Sequence, residues 1–218
     1  MKSITIHINE KLQLNRNRVK KYEYEYQPKS KNELIEIIND ITKQHKHDKV
    51  IDLNMIDTSK IKDMSSLFDY RYYQYDISRW NVSNVEDMNC MFLSSKFNQD
   101  ISDWDVSNVK NMNNMFFNSY FNQDISKWDV SNVKSMLEMF SSSFFNQDIS
   151  EWNVSQVKVM TGMFSDSDFN QDISNWDVSN VEDFEDIFYN SEFNQDLTKW
   201  KDKISDKEQL EYIQDYIK

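Results

Sequence analysis

From about residue 50 onward the apolar positions return at one fixed interval. Tryptophan falls at Trp80, Trp104, Trp128, Trp152, Trp176 and Trp200, each 24 residues from the next. Phe68, Phe92, Phe116, Phe140, Phe164 and Phe188 keep the same offset, as do Met64, Met88, Met112, Met136 and Met160, with Phe184 in sixth place. A fixed period of this length signals stacked copies of one unit that cannot bury its apolar face alone. Within one copy, Ile101, Trp104 and Val106 surround an outward Asp105, which predicts a short strand over about 101–106. Val109, Met112, Met115 and Phe116 follow at helical spacing and predict a short helix over about 108–117, with Ser107 as N-cap. Ser83 with Glu86 and Ser179 with Glu182 complete the capping-box spacing in two copies.

The ends depart from this pattern in the way covers for an exposed core would. Residues 3–14 alternate through Ile4, Ile6 and Ile8, "NRNR" suits a turn, and Tyr22, Tyr24 and Tyr26 alternate again. "SKNELIEIINDI" carries a capping box at Ser30/Glu33 and an apolar face of Leu34, Ile37, Ile38 and Ile41. Residues 50–68 form a worn first copy, with Leu53, Ile56, Ile61, Met64 and Phe68 in phase. "SDKEQLEYIQDYIK" predicts a last helix capped by Ser205/Glu208, with Leu210, Ile213 and Tyr216 or Ile217 on one side. The expected organisation is a capping segment over 1–49, a solenoid of about six units over 50–203 and a capping helix over 204–218.

Composition narrows the function classes. Only 39% of the chain is apolar but 14% is aromatic, and Gly162 and Pro28 are the sole glycine and proline, which suits a folded chain with an aromatic core. Residues 1–50 hold 11 Lys/Arg against 7 Asp/Glu, and the remainder 14 against 30. So acidic a body repels phosphate backbones and anionic membranes, so no nucleic acid and no membrane insertion are expected. No apolar run could span a bilayer, and "MKSITIHINEK" lacks a secretory signal. The expectation is a soluble, intracellular protein. Cys90 is the single cysteine, which rules out an intrachain disulfide and reads as a tolerated thiol on a helix.

Catalysis has little footing. His7, His45 and His47 lie in the N-terminal segment, one glycine cannot build a phosphate loop, and neither Cys/His metal spacing nor a nucleophile elbow occurs. No catalytic, cofactor-binding or metal residue is assigned.

The ladder Asp76, Asp100, Asp124, Asp148, Asp172 and Asp196 is the strongest chemical feature. Carboxylates stacked about 4.8 Å apart repel by about 0.9 kcal/mol per neighbour even at the dielectric of water. Either each Asp accepts backbone N–H bonds in an Asx turn, or the row binds Ca²⁺; the missing loop glycines weigh against calcium. Asn98, Asn122, Asn146, Asn170 and Asn194 form a second row, read as a hydrogen-bonded stack that sets register. The tryptophans, in core phase beside valine, read as a packed spine rather than a sugar platform.

Two columns face solvent on this reading. Arg79, Asp103, Lys127, Glu151 and Asn175 change sign freely from copy to copy, and Asn81, Asp105, Asp129, Asn153 and Asp177 stand between inward Trp and Val. The segments after each predicted helix, "LSSK", "FNSY", "SSSF", "SDSD" and "YNSE", vary as well. A constant scaffold with free outward columns suits recognition of a partner. Candidate partner-binding residues are therefore Arg79, Asp103, Asp105, Lys127, Asp129, Glu151, Asn153, Asn175 and Asp177.

The unit F-N-Q-D-I-S-x-W-[DN]-V-S-[NQ]-V-x-x-M-x-x-M-F, over about residues 50–200, resembles the repeat of BspA-like leucine-rich-repeat bacterial surface proteins, found also in mycoplasma-type surface lipoproteins. Ile101, Trp104 and Val106 match its L-x-x-L-x-L spacing. The resemblance implies a leucine-rich-repeat-like solenoid that binds proteins or mediates adhesion without enzymatic activity. The expected fold is a right-handed α/β solenoid of 24-residue strand-plus-short-helix units, with an N-terminal ββα cap and a C-terminal helical cap. The expected function is a non-catalytic scaffold for protein–protein recognition through the strand face. Alternatives are an adhesin reaching the cell surface by an export route not visible in the chain, and an acidic calcium-binding or purely structural array.

Overall fold

A computed structural model describes residues 24–217. The alternation expected over 3–14, and Tyr22, lie outside them. Along the repeated region each 24-residue unit, or coil, pairs in parallel with the next. In one representative unit the N–H groups of Met112, Asn114, Phe116 and Asn118 donate to the carbonyls of Ser135, Leu137, Met139 and Ser141 in the next coil, at 2.8–3.1 Å. The intervening N–H groups stay inside the coil: Met115 donates to Met112, Phe117 to Asn114 and Ser119 to Phe116. Parallel bridges recur at one-unit spacing from Asp63↔Asp87 to Val159↔Asp183.

This alternation replaces the helix expected at 108–117. Every second N–H there bonds across to a neighbour, so the i→i−4 ladder of an α-helix cannot form. Asn114 and Asn118 take φ of +53° and +49°, so the turns Met112–Met115 and Phe116–Ser119 carry the positive third-position φ of type II turns. Asn tolerates that region because its short polar side chain bonds locally. Tandem turns also advance by three or four residues per apolar contact, which reproduces helical spacing without a helix. The strand expected at 101–106 is likewise absent: Trp104 N–H folds back to Ile101 and Val109 N–H to Val106. Two-residue strands occur instead at β1 (Ile51–Asp52) and β2 (Tyr75–Asp76), paired in parallel.

Capping follows from these turns. Ser107 does not cap a helix; its N–H and Oγ donate to Asp105 Oδ1 at 3.2 and 2.6 Å. Ser83 binds Asn81 in the same way. Glu86 meets Lys62 and Lys110, and Glu182 meets Lys158, so neither expected capping box forms. Cys90 sits at φ +56° in a turn, not on a helix.

The core is a set of stacked columns. Phe68, Phe92, Phe116, Phe140, Phe164 and Phe188 lie with ring centroids 5.5–5.9 Å apart and planes within 6°. Such offset stacking suits the ring quadrupoles. All six tryptophans are buried in the same interior. Each also donates its indole N–H to a carbonyl in the preceding coil, from Trp80 to Leu53 through Trp200 to Ile173, at 3.0–3.3 Å. A buried indole needs that partner, so one side chain supplies both apolar area and a coil-to-coil bond.

Both ends are covered. Helix α1 (Lys31–Gln44) starts at Ser30, whose Oγ accepts from Glu33 N–H, and buries Leu34, Ile38 and Ile41. Thr42 Oγ1 reaches the Tyr75 hydroxyl at 3.3 Å, and Arg71 donates to Asn39 Oδ1 at 2.7 Å. At the far end the five-residue helix α2 (Lys207–Glu211) is capped by Asp206, one residue later than the expected Ser205, because Asp206 Oδ1 accepts from Glu208 N–H. Gln209 Oε1 takes the Phe184 N–H, a position whose equivalents bond to a next coil. Tyr216 sits edge-on to Phe188 and Phe193, and Ile213 is fully buried.

Candidate recognition surface

The outward positions of each coil are held by side chains that tie off the turns. Asp76, Asp100, Asp124, Asp148, Asp172 and Asp196 each accept, through Oδ1, the N–H of the residue two places on, at 2.9–3.1 Å. This is the Asx turn of the first expectation. Asn81, Asp105, Asp129, Asn153 and Asp177 do the same for Ser83, Ser107, Ser131, Ser155 and Ser179.

At Asp100 and Asp172 the turn bonds outweigh the repulsion of the neighbouring carboxylate. The N–H and hydroxyl of Ser102 hold the Asp100 carboxyl below its ordinary value although the Asp124 charge pushes it up. Asp172 is lowered by Ser174 against the push of Asp196, and Asp124 by Ser126. Among the described residues no three His, Cys, Asp or Glu side chains are placed to hold one metal ion.

Register is fixed by the asparagine row. Asn98 Oδ1 accepts from Asn122 N–H and Gln123 Nε2, both at 3.0 Å, and the pattern repeats from Asn122 through Asn170. On another edge Asn84, Asn108, Asn132 and Asn180 donate Nδ2 to the carbonyls of Ser59, Ser83, Ser107 and Ser155.

All nine sequence-predicted recognition residues are exposed: Arg79, Asp103, Asp105, Lys127, Asp129, Glu151, Asn153, Asn175 and Asp177. They flank the tryptophans, one position to either side, and so recur as two exposed rows at one-unit spacing. Their backbones are fixed on both sides by the Asx turns, while the residues of the 103 row are exposed. Asn175 meets Lys199 of the next coil at 2.8 Å.

A second exposed feature escaped sequence reasoning. Position 120 and its equivalents read Tyr72, Lys96, Tyr120, Phe144, Asp168 and Glu192, all exposed. Tyr72 is 71% exposed, Tyr120 54% and Phe144 52%. Tyr120 and Phe144 touch each other at 5.4 Å between centroids, and Lys96 Nζ lies 5.6 Å from the Tyr72 ring centre. The available signal was the change of residue class within "LSSK", "FNSY" and "SSSF", segments whose variation suits an outward surface; the expected helix ending before them gave no reason to set their last residues in one column.

No helix among the described residues is long and apolar enough to cross a membrane. No curated relative and no solved structure matches the chain. A family model described as a Mycoplasma protein of unknown function, DUF285, matches residues 36–144 and again 117–215. The two matches overlap within the repeated region and together take in every described tryptophan. The chain therefore belongs to the DUF285 family.

Proposed function

We propose that the chain is a non-catalytic binding scaffold that recognises a protein partner through the face carrying the 103 and 105 rows. On this reading the coils wind as one right-handed solenoid akin to BspA-like leucine-rich repeats, with turns in place of the expected strands and helices. The observation that carries the reading is the division within each unit: interior and register positions repeat, while the exposed 103 row runs Arg, Asp, Lys, Glu, Asn. Rigid backbones beneath variable side chains reduce the ordering cost of binding.

Affinity capture from extract of the source cell tests it, using the full-length protein and a variant with Arg79, Asp103, Lys127, Glu151 and Asn175 changed to serine. A partner retained by the parent and lost by a variant of unchanged melting temperature supports the reading; equal recovery by both defeats it. Calcium separates the competing class. A melting temperature raised by Ca²⁺ and lowered by chelator would favour an ion-binding array.

A further inference from the structure

We propose that the exposed column Tyr72–Lys96–Tyr120–Phe144–Asp168–Glu192 is a directional docking strip for an extended segment of a partner protein, one presenting an acidic residue, then apolar residues, then basic ones. The inference rests on the reading of the chain as a protein-recognition scaffold but places contact at a different edge from the 103 row.

Three observations carry it. First, the strip is built rather than loose. The N–H groups of Lys96, Tyr120, Asp168 and Glu192 donate to the carbonyls of Arg71, Ser95, Ser143 and Ser167 in the preceding coil. The buried Ser119, Ser143 and Ser167 sit immediately before Tyr120, Phe144 and Asp168 and fix the local turn. Second, every other phenylalanine and tryptophan of the repeated units except Phe117 is buried, and the exposed rings there outside the strip, Tyr70, Tyr73 and Tyr189, carry hydroxyls; Tyr120 and Phe144 stand together in solvent, and Phe144 has no polar group to justify it. Aromatic anchors of this kind dominate protein interfaces. Third, the charge along the column is ordered: Lys96 precedes the aromatic pair, and Asp168 and Glu192 follow it, with Asp166 exposed beside Asp168. Opposite charges on the partner must therefore come in a fixed order.

Spacing fits an extended chain. Within the strip the Tyr120 and Phe144 rings lie 5.4 Å apart, the adjoining buried column Phe121, Phe145 and Phe169 repeats at 6.3 Å, and two residues of an extended strand span about 6.6 Å. Alternate side chains of the segment thus meet successive coils over the few units of the strip.

The test uses a fluorescein-labelled nonapeptide, Glu-Ser-Leu-Ser-Leu-Ser-Lys-Ser-Lys, and a scramble of the same composition, read by fluorescence anisotropy on the full chain. The ordered peptide is expected to bind at least tenfold more tightly than the scramble. Phe144→Ser and Tyr120→Ser should each weaken it about tenfold, and Asp168→Asn with Glu192→Gln should flatten its salt dependence. The serine variant of the 103 row should bind the peptide as the parent does. Equal affinity for both peptides, or indifference to Phe144→Ser, overturns the strip, even where partner capture through the 103 row succeeds. Retention on a neutral polysaccharide column that Phe144→Ser abolishes also overturns it, by assigning the rings to sugar stacking.

Discussion

Twelve described residues hold φ between +49° and +57°, two in every unit, and eleven of them are not glycine. An L-residue in that region gives up about 1–2 kcal/mol against the right-handed conformation. The column Ser66, Cys90, Asn114, Glu138, Gly162 and Asp186 shows the requirement most openly, since glycine carries no such penalty. Gly162→Ala adds the penalty and brings a Cβ to 3.1 Å from Glu138 Cγ. It should cost about 1–2 kcal/mol, seen as a lower urea midpoint at unchanged m-value. Glu138→Asn should go the other way by about 0.5 kcal/mol, because Asn accepts φ near +50° at lower cost. The lone glycine was the sequence signal for this column, but a helix over about 108–117 and its equivalents would give these positions right-handed φ and no need of glycine.

Each row acts as an element in place of a regular strand. Asn122 Oδ1 accepts from both Asn146 N–H and Gln147 Nε2, at 3.0 and 2.9 Å. Asn122→Ala strips both half-buried donors of their acceptor and should cost about 1–2 kcal/mol. Asn122→Asp keeps a carboxylate oxygen there and should cost less than about 0.5 kcal/mol, measured by the same denaturation. The function of this row was legible because identical polar residues at one-unit spacing can satisfy each other across a stack. The apolar columns were legible for a similar reason: each of the phase-locked Phe, Met and Trp positions is buried. The local backbone was not. Apolar contacts every three or four residues arise equally from an α-helix and from tandem turns, and only the destination of alternate N–H groups separates the two. The same ambiguity concealed the exposed Tyr120 and Phe144, whose position depends on where the last turn closes.

Taken as a whole, the molecule should respond to deletion by length rather than by content. Removing 121–144 takes out one coil and leaves every row in phase, so the protein should remain cooperatively folded with a lower midpoint. Removing only 121–132 sets Trp against Phe columns across the cut and should abolish the cooperative transition, as circular dichroism during urea titration would reveal. Acid should act globally too. Asp100, Asp124 and Asp172 are lowered by their turn bonds, so their contribution is complete above the ordinary carboxylate value of about 3.9 and disappears as pH falls through the depressed folded values. The urea midpoint should thus be flat near neutrality and fall below about pH 4, and less steeply in the triple Asp→Asn variant.

The indole bond to the preceding coil has a consequence for how the chain finds its shape. Any tryptophan could make an equivalent bond to the isoleucine carbonyl of a coil once removed, with the skipped copy looped out at a modest entropic cost. Refolding from denaturant should therefore visit slipped arrangements that lack a single copy yet mimic the finished interior. The unlike ends, Thr42 against Tyr75 and Gln209 against Phe184, are the landmarks that tell the finished count from a short one.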